Sequence, residues 1–338
     1  MLLLTACDPF EQPDTMMDEY VERLAWVLET ESMPSPIPDV MTIPRPRDRR
    51  IDIPRLDINM LDFLSLYGCE LQVIVGERNS ILGRMMSPLN HLRYELRFIA
   101  AAEKCLPRVD KPQLETSLKE AIQYKKQILP ATIWNAIWSG DEIANLLSLS
   151  KGYFPLEGGT ESVSVLATDL QKTQETVDTL LNGVWEQDLT YLSKVQQGWA
   201  FSSHAGQLVN SARLITARLN DASRLMKQRL DERPLCYGGK PNNQARQLES
   251  MFSSVYIGRV QPYVSDASRA SKQIFGLLES MAEQQKNIMP ASFKDYYRTV
   301  LSDEAVSSVW YQFDRALKQH TELWQTLLEQ CGMRPEAN

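Results

Sequence analysis

Apolar residues recur every three or four positions along much of the chain, which is the spacing of one face of an α-helix. The pattern is clearest over 163–184 and 201–226. Each run lasts about three heptads, and two such runs in succession predict a long antiparallel helical hairpin with a coiled-coil-like seam. Arms of about 32 residues would each be about 48 Å long. We therefore expect an all-α protein, built as an elongated multi-helix bundle.

Shorter helical patterns cover most of the remaining chain. They predict helices over 16–30, 88–105, 112–129, 244–286 and 306–331. Pro130 predicts the start of a new helix, and Pro262 predicts an interruption, because proline has no backbone N–H to donate within a helix. The sequence contains no convincing series of strand patterns.

The segment 32–58 differs from the rest, because its prolines forbid a helix and favour an extended path. Its isoleucines are too apolar for a free linker, so we expect it to wrap across the body. The Gly- and Pro-containing stretch 150–159 predicts a boundary. We divide the chain into an N-terminal helical subdomain over 8–160 and a long-helix subdomain over 161–338, with one continuous domain as the alternative.

Composition limits the classes of function. The chain has 338 residues, 43% of them hydrophobic, and a net charge of −7. A negative chain is a poor match for a phosphate-tracking surface, so we expect no nucleic-acid partner. The body contains no run of about 18 apolar residues, the length that a membrane-spanning helix needs.

The first residues are MLLLTACDPF, in which Leu4-Thr5-Ala6-Cys7 resembles a bacterial lipobox. In a lipobox the cysteine is acylated and becomes the N-terminus, which predicts Cys7 as a lipid attachment site. Residues 1–6 are then the remnant of a signal peptide, and we expect the missing basic and apolar part upstream. This predicts a lipoprotein on the periplasmic side of a bacterial membrane. Asp8 slightly favours the inner membrane over the outer one.

Four further cysteines follow Cys7. In an exported protein an even number predicts disulfides, here two bonds with three connectivities. We favour Cys69–Cys105 and Cys236–Cys331, because each bond then joins segments within one half of the chain. Four buried thiols are the alternative. None of these residues forms a CxxC pair or has a histidine at zinc-finger spacing, so we expect no structural metal.

Motifs for catalysis are missing from the sequence, which shows no GxSxG, HExxH, P-loop or GxGxxG. Ser203 precedes His204, but adjacent side chains on a helix diverge and cannot form a useful pair. We therefore predict no enzyme activity, no catalytic residue and no cofactor.

The densest polar cluster lies over 77–97 and supplies our candidate binding residues. They are Arg78, Asn79, Arg84, Glu95 and Arg97. One interpretation is a ligand pocket in which an arginine holds an anion. The interpretation we favour is a partly buried ion-pair network that fixes helix register.

A second cluster comprises Arg45, Arg47, Arg49, Arg50 and Arg55. Beside an anchored N-terminus these arginines could contact anionic lipid headgroups. Aspartates alternate with them, so we favour a solvated segment paired with the acidic body. Trp134 and Trp138 share one helix face and are predicted to be core residues.

Four stretches together resemble an uncharacterised lipoprotein family of gammaproteobacteria, domain of unknown function 3080. They are PRPRDRR, LDFLSLYGCELQVIVGERNSILGRMM, YELRFIAAAEKCL and ILPATIWNAIW. The likeness extends over nearly the whole mature chain. It implies export and lipidation, and it implies no activity.

Three hypotheses for function follow. The leading one is a non-enzymatic envelope scaffold that presents helical surfaces to a partner protein. The second is a small-molecule or lipid-binding protein with a pocket near Arg78, Asn79 and Glu95. The third is a hydrolase whose site assembles from distant residues.

Overall fold

The computed structural model describes residues 12–54, 68–80, 83 and 85–333. Within these residues the regular structure is entirely helical, so the predicted all-α class is confirmed. The helices are α1 Pro13–Leu28, α2 Leu71–Asn79, α3 Pro88–Cys105, α4 Pro112–Trp138, α5 Asp141–Leu146, α6 Gly159–Leu181, α7 Thr190–Phe201, α8 His204–Glu232, α9 Asn243–Met251, α10 Gln261–Glu283, α11 Ala291–Tyr296 and α12 Val309–Glu329. None of these helices is both long enough and apolar enough to cross a membrane.

Local sequence signals explain where several helices begin. Ser87 caps α3 by accepting a hydrogen bond from the backbone N–H of Asn90, and Pro88 occupies the first turn, where no N–H is needed. Ser308 caps α12 in the same way through the N–H of Tyr311. Both helices then bury the apolar face that the spacing predicts.

Both long apolar runs form helices, but the two helices do not pair with each other as the predicted hairpin requires. The run over 163–184 forms α6, which packs against α10, whereas the run after 201 forms α8, which packs between α1 and α12. The chain leaves α6 at Asn182 and inserts α7, which packs against α5, before α8 begins. An apolar stripe determines which face of a helix is buried, but it does not name the helix that covers it.

The helix start predicted at Pro130 and the interruption predicted at Pro262 are both wrong. Helix α4 runs unbroken through Pro130, whose carbonyl accepts a hydrogen bond from Gln285 Nε2 at 2.8 Å. Near Pro262 the helix widens instead of breaking, so that 243–283 is one helical rod with a π-helix over Phe252–Val260. A wider turn relieves the clash of the proline ring with the preceding carbonyl and accommodates its missing N–H.

Buried side chains form a large core and a small cluster. The small cluster joins α2, α3 and the first half of α4, and a disulfide between Cys69 and Cys105 closes it. The large core takes side chains from both sides of residue 160 and is closed by Cys236–Cys331. Both predicted disulfide pairings are therefore confirmed.

Of the predicted wrapping segment 32–58, the part over 32–54 wraps across the body as predicted, and 55–58 lie outside the described residues. The Oγ of Ser35 donates to Asp221 at 2.6 Å, and Arg213 Nε donates to the carbonyl of Pro38 at 2.8 Å, so both contacts tie the segment to α8. Farther along, the Nδ2 of Asn135 on α4 donates to the carbonyl of Ile51 at 2.8 Å.

Arg49 corrects the prediction of a solvated arginine segment, because its side chain is 0% exposed. It donates to the carbonyl oxygens of Trp138, Pro44 and Gly140. Three carbonyl acceptors replace the water that the guanidinium loses. Arg45 and Arg47 remain exposed and pair with Asp48, while Arg55 lies outside the described residues.

Candidate functional site

The described side chains of the predicted binding cluster, Arg78, Glu95 and Arg97, do not converge on one pocket. Glu95 is buried between α3 and α4, where Lys125 Nζ lies 2.6 Å and His91 Nε2 lies 3.1 Å from its carboxylate oxygens. Arg97 lies at the surface and pairs with Glu77 at 2.8 Å. Arg78 donates to the carbonyl of Gly83. The side chain of Asn79 and all of Arg84 lie outside what the structure describes.

Electrostatics supports the ion-pair interpretation of that cluster. Burial raises the pKa of Glu95, but the hydrogen bond from His91 and the charge of Lys125 outweigh burial and leave that pKa below its ordinary value. The Lys125 ammonium also lies 5.1 Å from the Tyr94 ring centroid and 4.8 Å from that of Phe98. The carboxylate thus stays ionised and is occupied by groups of the protein itself.

A groove elsewhere on the molecule is the better candidate. It lies between the rod 252–272 and α12, and its volume is about 1020 Å³. The two helices run antiparallel along it. Phe252 meets Trp324 at one end, with ring centroids 4.6 Å apart, and Lys272 Nζ lies 3.8 Å from a carboxylate oxygen of Asp314 at the other end.

Helical spacing lines up the walls of this groove. Residues 317, 321, 324 and 328 are three or four positions apart on α12, so their side chains share one face. On the opposite wall the π-helix holds Phe252 and Tyr256, and α10 continues the wall with Val264 and Ser268. The π-helix thus begins the wall that α10 completes, which agrees with the frequent location of such helices at functional sites.

Three aromatic rings form the floor at one end of the groove. Phe252 stacks on Tyr256 at 5.6 Å between centroids, and Tyr256 stacks on Trp324 at 6.0 Å. The Tyr256 pKa is raised to about 12, chiefly by burial. The rings are therefore neutral at physiological pH, and Phe252 is the most exposed of the three, since Tyr256 is 6% and Trp324 2% exposed.

His320 lies behind this floor and is fully buried. Its Nε2 lies 2.8 Å from Tyr20 Oη and accepts from Trp324 Nε1 at 3.0 Å. The ring also hydrogen-bonds the backbone of Leu219. The network is satisfied when Nδ1 carries the proton and donates to that backbone, while Nε2 accepts.

Burial lowers the pKa of His320 to about 3, so the ring is neutral at physiological pH. Trp324 lies between this imidazole and the groove, and its indole N–H is already used by Tyr20 and His320. The histidine therefore fixes the orientation of Trp324 and has no access to a ligand.

The opposite end of the groove carries two cations, each of which lies beside an aspartate. The charged residues among its described lining are Arg269 and Lys272, both on α10 and both cations. Arg269 Nη1 lies 3.2 Å from a carboxylate oxygen of Asp266, and Lys272 pairs with Asp314. The side chains of both ion pairs are largely exposed. Polar side chains such as Ser265, Ser268 and Gln325 separate this end from the aromatic floor.

The sequence predicted the helix over 306–331 but not the groove beside it. The sequence does not indicate which helix lies beside α12, because α10 and α12 are separated along the chain by α11 and a second π-helix, Tyr297–Leu301. In the described part of the chain, no group of three or more His, Cys, Asp or Glu side chains is arranged to hold a metal ion.

A model for the family described as "Protein of unknown function (DUF3080)" matches residues 17–335. The chain belongs to this family. No curated protein and no solved structure matches the chain. The predicted membership of this family is therefore confirmed, whereas its lipoprotein nature and gammaproteobacterial origin stay predictions. The family brings no activity with it.

Proposed function

We propose that this DUF3080 protein is a lipid-anchored envelope protein that acts by binding rather than by catalysis. The observation that carries the proposal is the groove between 252–272 and α12, which is open to solvent and has an apolar floor. Open apolar grooves with a few polar groups at the rim are typical of binding sites.

Two features support the location on the periplasmic side of a membrane. Leu4-Thr5-Ala6-Cys7 has the composition of a lipobox, with Asp8 after the cysteine. The four remaining cysteines are joined in two disulfides, which form and persist in oxidising compartments. Acyl chains on Cys7 would hold the protein at the membrane through the burial of their methylene groups.

The polar groups at the groove favour binding over catalysis because none of them is arranged as a nucleophile next to a base. The Thr321 hydroxyl donates to the carbonyl of Leu317 at 2.9 Å, and Ser265 accepts from Gln261 at 3.2 Å. The histidine beneath the floor is separated from the groove by Trp324. Hydroxyls without a neighbouring base are weak nucleophiles.

Binding of a partner protein is the second candidate function, and a specific observation favours it. Trp26 of α1 is 73% exposed and Tyr237 is 76% exposed. Exposed aromatic side chains are enriched at protein–protein interfaces. The predicted scaffold role would use these surfaces, whereas the groove suits a small apolar ligand.

Photo-crosslinking in cells tests the binding role. A photoreactive amino acid replaces Ile257, which lines the groove and is 44% exposed, and the matched control position is Val165 on α6, which is 61% exposed. We expect a crosslinked adduct at 257 and none at 165. Equal labelling at both positions, or none at either, would refute a binding role for the groove.

The same strains test the anchor. Cys7→Ala should move the protein from the membrane fraction to the soluble fraction, because the acylated residue is lost. Membrane sedimentation that is unchanged by this substitution would contradict the anchor and leave the crosslinking result to stand alone.

A further inference from the structure

We infer that the groove binds a long-chain fatty acid, with the carboxylate at Arg269 and Lys272 and the hydrocarbon chain on Phe252, Tyr256 and Trp324. This inference rests on the proposed function, because it names the ligand of the same groove. It follows from the position of two cations at one end of a groove whose other described lining side chains are uncharged.

The head end is suited to an anion. Arg269 and Lys272 are three residues apart on α10, so their side chains share a face. Each of the two cations already lies beside a carboxylate, that of Asp266 or that of Asp314, so each has room for a carboxylate next to it. These pairs are exposed and therefore weak, and a ligand carboxylate displaces them at little cost. Arginine can bind a carboxylate through two parallel N–H donors.

The tail end is suited to a hydrocarbon chain. The indole N–H of Trp324 donates inward to Tyr20 Oη and His320 Nε2, so this polar atom does not face the groove. Trp324 itself is only 2% exposed, and the apolar surface still open to solvent at this end belongs chiefly to Phe252 and Ile257. A hydrocarbon chain that covers these two side chains removes apolar area from water.

The position of the charges favours a molecule with one charged head and an apolar tail. Leu317 lies at the cationic end and Leu328 at the aromatic end, and at 1.5 Å per residue these positions on α12 are ~16 Å apart. Apolar side chains therefore line the groove over this whole distance, whereas the cations of the described lining lie at one end.

Calorimetric titration of the purified full-length chain tests the inference. The chain carries Cys7→Ala in all samples, so that neither its own acyl group nor a solubilising detergent competes. The probes share one chain length and differ in the head: dodecanoate, dodecyl phosphate, dodecyl maltoside and dodecyltrimethylammonium. We expect dodecanoate to bind most tightly.

Two variants locate the head and the tail. Arg269→Gln with Lys272→Gln should weaken dodecanoate binding at least about ten-fold, the effect of losing one charge-assisted contact, and should leave dodecyl maltoside unchanged. The matched control is Lys286→Gln with Arg298→Gln, an exposed lysine and arginine with similar near-neighbour acid partners outside the groove. Ile257→Asp, at an exposed lining position, should weaken every probe.

Three outcomes overturn the inference. Dodecyltrimethylammonium binding as tightly as dodecanoate would remove the role of the cations. Tighter binding of dodecyl phosphate, lost in the double variant, would assign the site to a phosphate-headed lipid. Absence of binding by any probe, together with a protein adduct at position 257 in cells, would reject the fatty acid and leave the groove as a binding site for a protein partner.

Discussion

Glu95 in the small cluster is buried with its charge, whereas His320 in the large core is buried without one. Lys125 and His91 hold the pKa of the Glu95 carboxyl below its ordinary value against the effect of burial. His320 meets aromatic rings and neutral hydrogen-bond partners, and burial lowers its pKa to about 3. The same physical cost of desolvation is thus met by a counter-charge in one place and by loss of the proton in the other.

The difference follows from what the neighbouring helices supply. Helix α4 brings Lys125 across from Glu95, so the ion pair joins two helices of a cluster that has few apolar residues. Helices α1 and α12 bring Tyr20 and Trp324 to His320, so the imidazole becomes part of an aromatic core. The small cluster therefore depends more on its covalent and ionic links than the large core does.

Removal of each disulfide should show this contrast most strongly. The bonds close stretches with sequence separations of 95 for Cys236–Cys331 and 36 for Cys69–Cys105. The chain-entropy model gives losses of about 4.7 and about 3.8 kcal/mol in the free energy of unfolding. Alanine replacement of the first pair should lower the stability of the whole protein in denaturant titrations.

Replacement of the second pair should act locally. Hydrogen exchange should accelerate in α2 and the neighbouring part of α3 while α8 and α12 stay protected, because the small cluster can open alone. Uniform acceleration over the whole chain would show that the two regions unfold as one unit and would contradict the comparison.

Breaking the ion pair should have the next largest effect. Lys125→Met leaves Glu95 buried with only His91 beside it, and we expect a loss of about 3–5 kcal/mol in the free energy of unfolding. Lys119→Met is the matched control on the same helix, since Lys119 forms an exposed pair with Glu115, and it should cost under about 0.5 kcal/mol. Similar losses in both variants would mean that the buried pair has no special role.

The pH dependence of stability should show the smallest but most specific effect. The unfolded state binds a proton at His320 below its ordinary pKa of 6.5, while the folded state does not until pH about 3. Stability from this group is therefore full above pH 6.5 and falls with decreasing pH, by ~1.4 kcal/mol per pH unit. The free energy of unfolding of His320→Gln should lack this slope between about pH 6 and 4. The loss of packing in the variant is measured at about pH 7.5 and subtracted from its values at all other pH.

Glu95 responds in a lower range, which sharpens the comparison. Its folded pKa lies below the ordinary 4.5, so its stabilisation is complete above that pH and is lost only as the pH falls below it. If the free energy of unfolding of His320→Gln keeps the wild-type dependence on pH between about pH 6 and 4, the conclusion that the buried imidazole is neutral is wrong.

Much of the architecture was predictable because it depends on local order in the chain. Ser87 and Ser308 fix helix starts by accepting backbone hydrogen bonds three residues later, and the 3-4 spacing of α12 marks its buried face. The pairing of cysteines within each half also followed from chain order. In each case the partners are close in sequence, or the inference needs only the periodicity of one helix.

The candidate site was not predictable in the same way. The sequence favoured an ion-pair network around Glu95 and left a pocket near Arg78, Asn79 and Glu95 as the alternative, and the structure pairs the Glu95 carboxylate with Lys125. The groove needs α10 and α12 side by side, and their facing surfaces look like ordinary buried stripes in the sequence.

The sequence by itself determined that the protein is helical, which faces of α3 and α12 are apolar, and that the proline-rich stretch 32–54 contains no α-helix. Only the tertiary structure decided that α6 pairs with α10 instead of α8, that Pro130 lies inside a helix, and that Arg49 is buried among three carbonyl oxygens. The physical reason is range. Periodicity and capping are properties of a few consecutive residues, whereas the choice of partner is made by side chains far apart in the chain that compete for the same apolar surface.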